Sequence, residues 1–86
     1  MTYSLEPEVI ATDVEDGVVL LDQRTGRYWQ LNRSGAATLR LLLDGNSPDH
    51  AATTLTAGRP EAADRARADV GALLDSLLKA RLVVRS

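Results

Sequence analysis

The sequence predicts a small α+β domain in which a three-stranded antiparallel sheet is followed by three helices. Three observations predict this class. Residues 8 to 31 are rich in Val, Ile, Tyr and Trp and are broken by turn signals; residues 33 to 82 are rich in Ala, Leu and Arg; and no repeat, linker or low-complexity segment divides the halves. The chain has 86 residues, 44% of them apolar, with no Phe. A domain of this size buries only about 60 to 65% of the surface its unfolded chain exposes, so residues 1–86 are expected to form one domain with a core of Leu, Val and Ala.

The elements follow in order. Val9 to Val14 reads as a strand, and Val18 to Asp22 as a second one after the acidic turn Glu15-Asp16-Gly17, where Gly tolerates a turn conformation. Gln23-Arg24-Thr25-Gly26 is a second turn and leads into Arg27-Tyr28-Trp29-Gln30-Leu31. Alternation in this third strand puts Arg27, Trp29 and Leu31 on one face and Tyr28, Gln30 and Asn32 on the other, with Leu31 marking the Trp29 side as the buried one. Asn32 or Ser34 caps a first helix that runs to about Asp44 and ends at Gly45-Asn46, with Ala36, Leu39, Leu42 and Leu43 on its apolar face. A second, short helix starts at Ser47, with Pro48 in its first turn, and closes at Gly58. The third runs from near Pro60 to about Arg81, with an apolar stripe of Ala63, Ala66, Val70, Leu73, Leu74, Leu77 and Leu78. The run Leu82-Val83-Val84 either adds a short strand or packs on the core.

Composition excludes several functions. With no Cys there is no disulfide scaffold, thiolate metal site or Cys nucleophile. His50 is the only histidine and has no partner for acid–base work, while Ser34 and Ser47 read as helix caps before they read as nucleophiles. The acidic run Glu6, Glu8, Asp13, Glu15 and Asp16 lacks the spacing of a calcium loop, and no Gly-rich phosphate loop occurs. We therefore expect no catalytic residues, no metal and no cofactor. Ten basic against twelve acidic residues give a net charge of -2, which attracts no phosphate backbone. The first residues lack a secretion signal, and apolar runs such as Val18 to Leu21 are too short to span a bilayer, so a soluble cytoplasmic protein is expected.

Two features mark a surface. The third strand carries the only Trp and, in a three-strand meander, pairs on one side only, so its other edge presents unpaired amides and carbonyls. Trp29 either anchors the core or lines that edge. The third helix carries more large apolar residues than a narrow stripe needs, enough for a core and one wall of a groove in which an extended peptide could add to the strand. Four or five strand hydrogen bonds at roughly 0.5 to 1.5 kcal/mol each are offset by ordering the peptide backbone at about 1 to 2 kcal/mol per residue. Backbone pairing alone thus breaks even. Burial of two or three large side chains at about 1.5 to 3 kcal/mol each would bring affinity toward the micromolar range.

The stretch Thr25-Gly26-Arg27-Tyr28-Trp29-Gln30-Leu31-Asn32-Arg33-Ser34-Gly35-Ala36, with Leu41-Leu42-Leu43-Asp44-Gly45 and the helix Ala68 to Val83, closely resembles the PqqD-like family of precursor-peptide recognition elements. The resemblance implies a winged helix-turn-helix fold that binds the leader of a ribosomal precursor peptide between its third strand and third helix. The Arg-Tyr-Trp-Gln-Leu-Asn strand looks most like the discrete leader-binding proteins of actinobacterial lasso-peptide pathways. Such a module holds the leader for a separate cysteine leader peptidase, while a separate ATP-dependent macrocyclase closes the ring. Carried over, the strand wall is Arg27, Tyr28, Trp29, Gln30 and Leu31, and the helix wall is drawn from Arg67, Asp69, Val70, Leu73, Leu74 and Leu77. Asp69 would bond to a leader hydroxyl, amide or base. Glu15, Asp16 and Arg24 receive no role.

Two rival readings share the architecture. One is a PqqD-type chaperone for a radical peptide-modifying enzyme. The other is a small winged-helix DNA-binding regulator, against which the helix from Ser47 to Gly58 counts, since it carries Asp49 and His50 and no Lys or Arg.

Overall fold

The computed structural model describes residues 2–85. Its elements are β1 (Tyr3–Leu5), β2 (Val9–Val14), β3 (Gly17–Asp22), β4 (Arg27–Asn32), α1 (Arg33–Leu43), α2 (Pro48–Leu55), a 3-10 turn (Pro60–Ala62), α3 (Ala63–Lys79) and β5 (Val83–Arg85). The expected meander is present as an antiparallel sheet of order β2-β3-β4, followed by the three helices.

A second, two-stranded sheet was only half legible. β5 realises one of the two outcomes open for the Leu82-Val83-Val84 run, and it pairs antiparallel with β1, with Tyr3 opposite Arg85 and Leu5 opposite Val83. β1 has three residues, too few to display an alternating pattern before Pro7. Its Tyr3 is 7% exposed, so the core holds an aromatic residue besides the expected Leu, Val and Ala.

Register divides the main sheet into two faces. Asp22, Leu20 and Val18 of β3 lie opposite Arg27, Trp29 and Leu31 of β4, and with Val9 of β2 they face the helices. Val9, Val18, Leu20, Leu39, Leu42, Val70, Leu74, Leu77, Leu82 and Val83 form the core with Tyr3 and three alanines. The opposite face is uncharged along β2, β3 and β4, and Ile10, Leu21 and Tyr28 make one exposed cross-strand row on it. Helix α1 packs on β1, β3 and β4, and α2 packs on both α1 and α3.

Local chemistry sets the boundaries. The tight turn is Glu15-Asp16, and Gly17 opens β3 with φ 153°. A Cβ on Gly17 would overlap the Leu31 carbonyl oxygen and sit 2.9 Å from the carbonyl carbons of Leu31 and Asn32, so only glycine allows β4 this close. Of the two candidate caps for α1 the structure uses Asn32, whose Oδ1 accepts from the Gly35 N–H at 2.9 Å. The helix ends at Gly45, φ 99°, where the N–H groups of Gly45 and Asn46 donate to the carbonyls of Leu42 and Leu41. Ser47 caps α2 by accepting from the His50 N–H at 3.1 Å. That helix stops at Leu55 rather than continuing to Gly58.

Helix α3 departs most from its expected span. Pro60 opens a 3-10 turn instead of the α-helix, which begins at Ala63 and ends at Lys79. The exit is built like that of α1 but with arginine in the left-handed position. Arg81 has φ 59°, its N–H donates to the Leu78 carbonyl at 3.1 Å, and the Leu82 N–H donates to Leu77 at 3.0 Å. Leu82 is fully buried, so an apolar anchor beyond the helix end holds this conformation without glycine.

Among the described residues no helix is long and apolar enough to cross a membrane, and no group of three or more His, Cys, Asp and Glu could hold a metal ion.

Candidate functional site

β4 has β3 on one side and, among the described residues, no strand on the other. In an antiparallel pair the backbone groups of alternate residues point away from the partner, so three of its six residues offer an N–H and a C=O outward. Charged gatekeeping on this edge is confined to Arg27, and no proline blocks it.

The strand's side chains sort by face. Tyr28 is 71% exposed and Gln30 is exposed, both on the outer face. Trp29 and Leu31 are half-buried on the inner face, packed against the core. Trp29 thus takes an intermediate position between the two readings open to it, packed against the core and still partly exposed.

The helix residues named for the wall divide between core and surface. Val70, Leu74 and Leu77 are buried at 2%, 6% and 3% exposure and belong to the core. Leu73 is half-buried against that core, as is Ala66, and Asp69 is exposed between them. Arg67 turns toward α2: its Nη1 donates to Asp64 at 2.6 Å and its Nε lies 3.9 Å from Asp49. It also lines a hollow of about 380 Å³ with Thr53, Thr56, Ala57, Gly58, Pro60 and Ala63. A second hollow, of about 330 Å³, lies between the Glu15 turn and α1. Neither is lined by β4, so the strand presents an open margin rather than a wall of either hollow.

Asp22 and Arg24, in and beside the turn that leads into β4, form a dense polar cluster. Asp22 is 3% exposed. Its Oδ1 accepts from Arg24 Nε at 2.9 Å and from the Arg24 backbone N–H at 3.0 Å, and its Oδ2 accepts from Nη2 at 3.0 Å. The side-chain bonds from Arg24 hold the Asp22 carboxyl below its ordinary value, against the opposing effect of burial. Arg24 Nη2 also donates to the Arg81 carbonyl at 2.7 Å, and Nη1 lies 3.8 Å from Glu6. Sequence reading left Arg24 as a turn residue. A signal was there to find: alternation through Val18 and Leu20 directs Asp22 inward, and a buried carboxylate needs a cation.

Residues 17–83 match the family model described as coenzyme PQQ synthesis protein D (PqqD). The chain belongs to the PqqD family. No curated protein matches it. Among solved structures, this PqqD-family chain is 36% identical to lasso peptide synthetase B1 complexed with the leader peptide; the likeness covers 99% of this chain and 100% of that one with a TM-score of 0.89. TbiB1 in complex with the TbiA(beta) leader peptide is 24% identical over 100% of this chain and 98% of that one, and its TM-score of 0.83 supports the fold. The strand-then-helix order read from the sequence is therefore shared with the PqqD family and with the lasso peptide synthetase B1 structure.

Proposed function

We propose that this protein binds the leader segment of a ribosomally made precursor peptide as an added strand along β4, next to α3. The observation that carries the reading is the one-sided pairing of β4 in a chain 36% identical to a lasso peptide synthetase B1 whose structure contains a leader peptide. In this reading the 86 residues act as one recognition module. The backbone of Arg27, Tyr28, Trp29, Gln30 and Leu31 bonds to the leader, while Leu73 and Asp69 meet its inward side chains. Val70, Leu74 and Leu77 shape the surface from beneath, and Arg67 takes part only by releasing Asp64 or Asp49.

The role is binding rather than catalysis, in the cytoplasm, with no cofactor. The module presents the leader to a separate cysteine leader peptidase, and a separate ATP-dependent macrocyclase closes the lasso ring. These later steps rest on the resemblance of the strand sequence to lasso-pathway proteins, and co-purification with a cysteine leader peptidase of the same organism tests them.

The binding step is tested by titrating a synthetic leader peptide of a lasso-type precursor. Trp29 is the only Trp, so its emission should change saturably with a dissociation constant of about 10 μM or tighter. Asp69→Arg should weaken binding about tenfold or more with an unchanged circular dichroism spectrum, since Asp69 is exposed and bonded to nothing that folding needs. Absence of calorimetric binding at about 500 μM leader would overturn the proposal.

A further inference from the structure

We infer that Arg24 is a positioning residue that sets the spacing between β4 and the C-terminal end of α3, the two elements between which the leader is proposed to lie. The inference rests on that functional reading. Arg24 stands three residues before β4 begins, and Arg81 stands two residues after α3 ends. A single guanidinium joins them: Nε and Nη2 hold the Asp22 carboxylate, and Nη2 donates to the Arg81 carbonyl at 2.7 Å. Both ends of this connection are anchored. Asp22 is buried at the end of β3, and the Arg81 carbonyl is aimed by the left-handed turn that the buried Leu82 secures. Glu6, beyond β1, adds a second carboxylate 3.8 Å from Nη1. The planar five-donor fork of arginine can satisfy carboxylate and carbonyl at once, which the ammonium of lysine cannot do in the same geometry.

An added strand gains from a wall already at the right distance, because no ordering is then required at the moment of binding. Arg24 touches neither β4's outer backbone nor Asp69 or Leu73, so its effect on the leader is indirect.

The test uses the whole protein. It contains no Cys, so Gln23→Cys and Lys79→Cys, both at exposed positions, accept a pair of spin labels that report the turn-to-helix distance. In the Arg24→Met background the distance distribution should broaden or lengthen without any peptide present. Leader affinity, read by anisotropy of a labelled synthetic leader, should fall about tenfold, with Arg24→Lys recovering only part of it. Adding Gly71→Ala, which fills open space on α3 and raises helix stability, should raise the melting temperature of Arg24→Met without recovering its affinity.

An unchanged distance distribution in Arg24→Met overturns the inference. So does recovery of affinity by Gly71→Ala, which would make Arg24 a contributor to stability alone. A wild-type protein that fails to bind the leader overturns the functional reading instead, and the spin-label distances still decide the role of Arg24.

Discussion

Substituting Gly17→Ala should unfold much of this domain's margin of stability, for reasons local to the edge strand. Gly17 sits at φ 153°, a region open to essentially no residue but glycine, at a strain of about 1 to 3 kcal/mol. The new methyl would also meet the Leu31 carbonyl oxygen inside contact distance, with two carbonyl carbons at 2.9 Å. Since these are backbone atoms, relief requires the end of β4 to move away from β3, losing one or two ladder bonds at about 0.5 to 1.5 kcal/mol each. Asn32 lies opposite Gly17 and caps α1, so the same displacement weakens a cap that contributes about 1 kcal/mol. The sum is about 2.5 to 7 kcal/mol, against about 4 to 13 kcal/mol for a domain of this length. Thermal melting followed by circular dichroism should show a drop of about 10 °C or more. Gly45→Ala is the control: φ is 99° there but nothing lies within 4 Å of an added Cβ, so the loss should be about 1 kcal/mol. Equal melting temperatures for the two variants would refute the argument that close approach of β4 makes Gly17 necessary.

Arg81→Gly should raise the melting temperature by about 4 to 8 °C, because glycine meets φ 59° without the left-handed penalty of about 1 kcal/mol; a fall would mean that the arginine side chain holds the turn. Leu74→Ala should cost about 2 to 5 kcal/mol in urea denaturation, whereas Leu73→Ala, at a half-buried position, should cost less stability and more leader affinity. Reversal of that order would move the binding surface to the other side of α3. The Asp22 carboxyl is held below its ordinary value, chiefly by the side-chain bonds from Arg24, so its contribution is complete above the unfolded-state value of about 4 and is lost as pH falls through the lower folded-state value. Asp22→Asn should therefore flatten the stability profile below about pH 4, and an unaltered acid limb would show that the pair carries no pH-dependent stability.

Sequence alone determined the strand-then-helix order, the β2-β3-β4 meander, the Ser47 cap and the family, because alternation, Gly-containing turns and capping residues act over a few neighbours. Local signals also reached β4 itself: Arg27 to Leu31 reads as a strand, and any third strand of a meander has one partner in the sheet. Tertiary structure decided what those signals do not carry. Val70, Leu74 and Leu77 fill the core while Leu73 stays half-buried, although all four belong to one apolar stripe, because α2 and β5 cover only part of it. β1 and β5 form only through each other, across nearly the whole chain, so neither three-residue segment carries a pattern of its own. The bond from Arg24 to the Arg81 carbonyl joins residues 57 apart and depends on where a buried leucine leaves a backbone oxygen, which no spacing of side chains along the chain encodes.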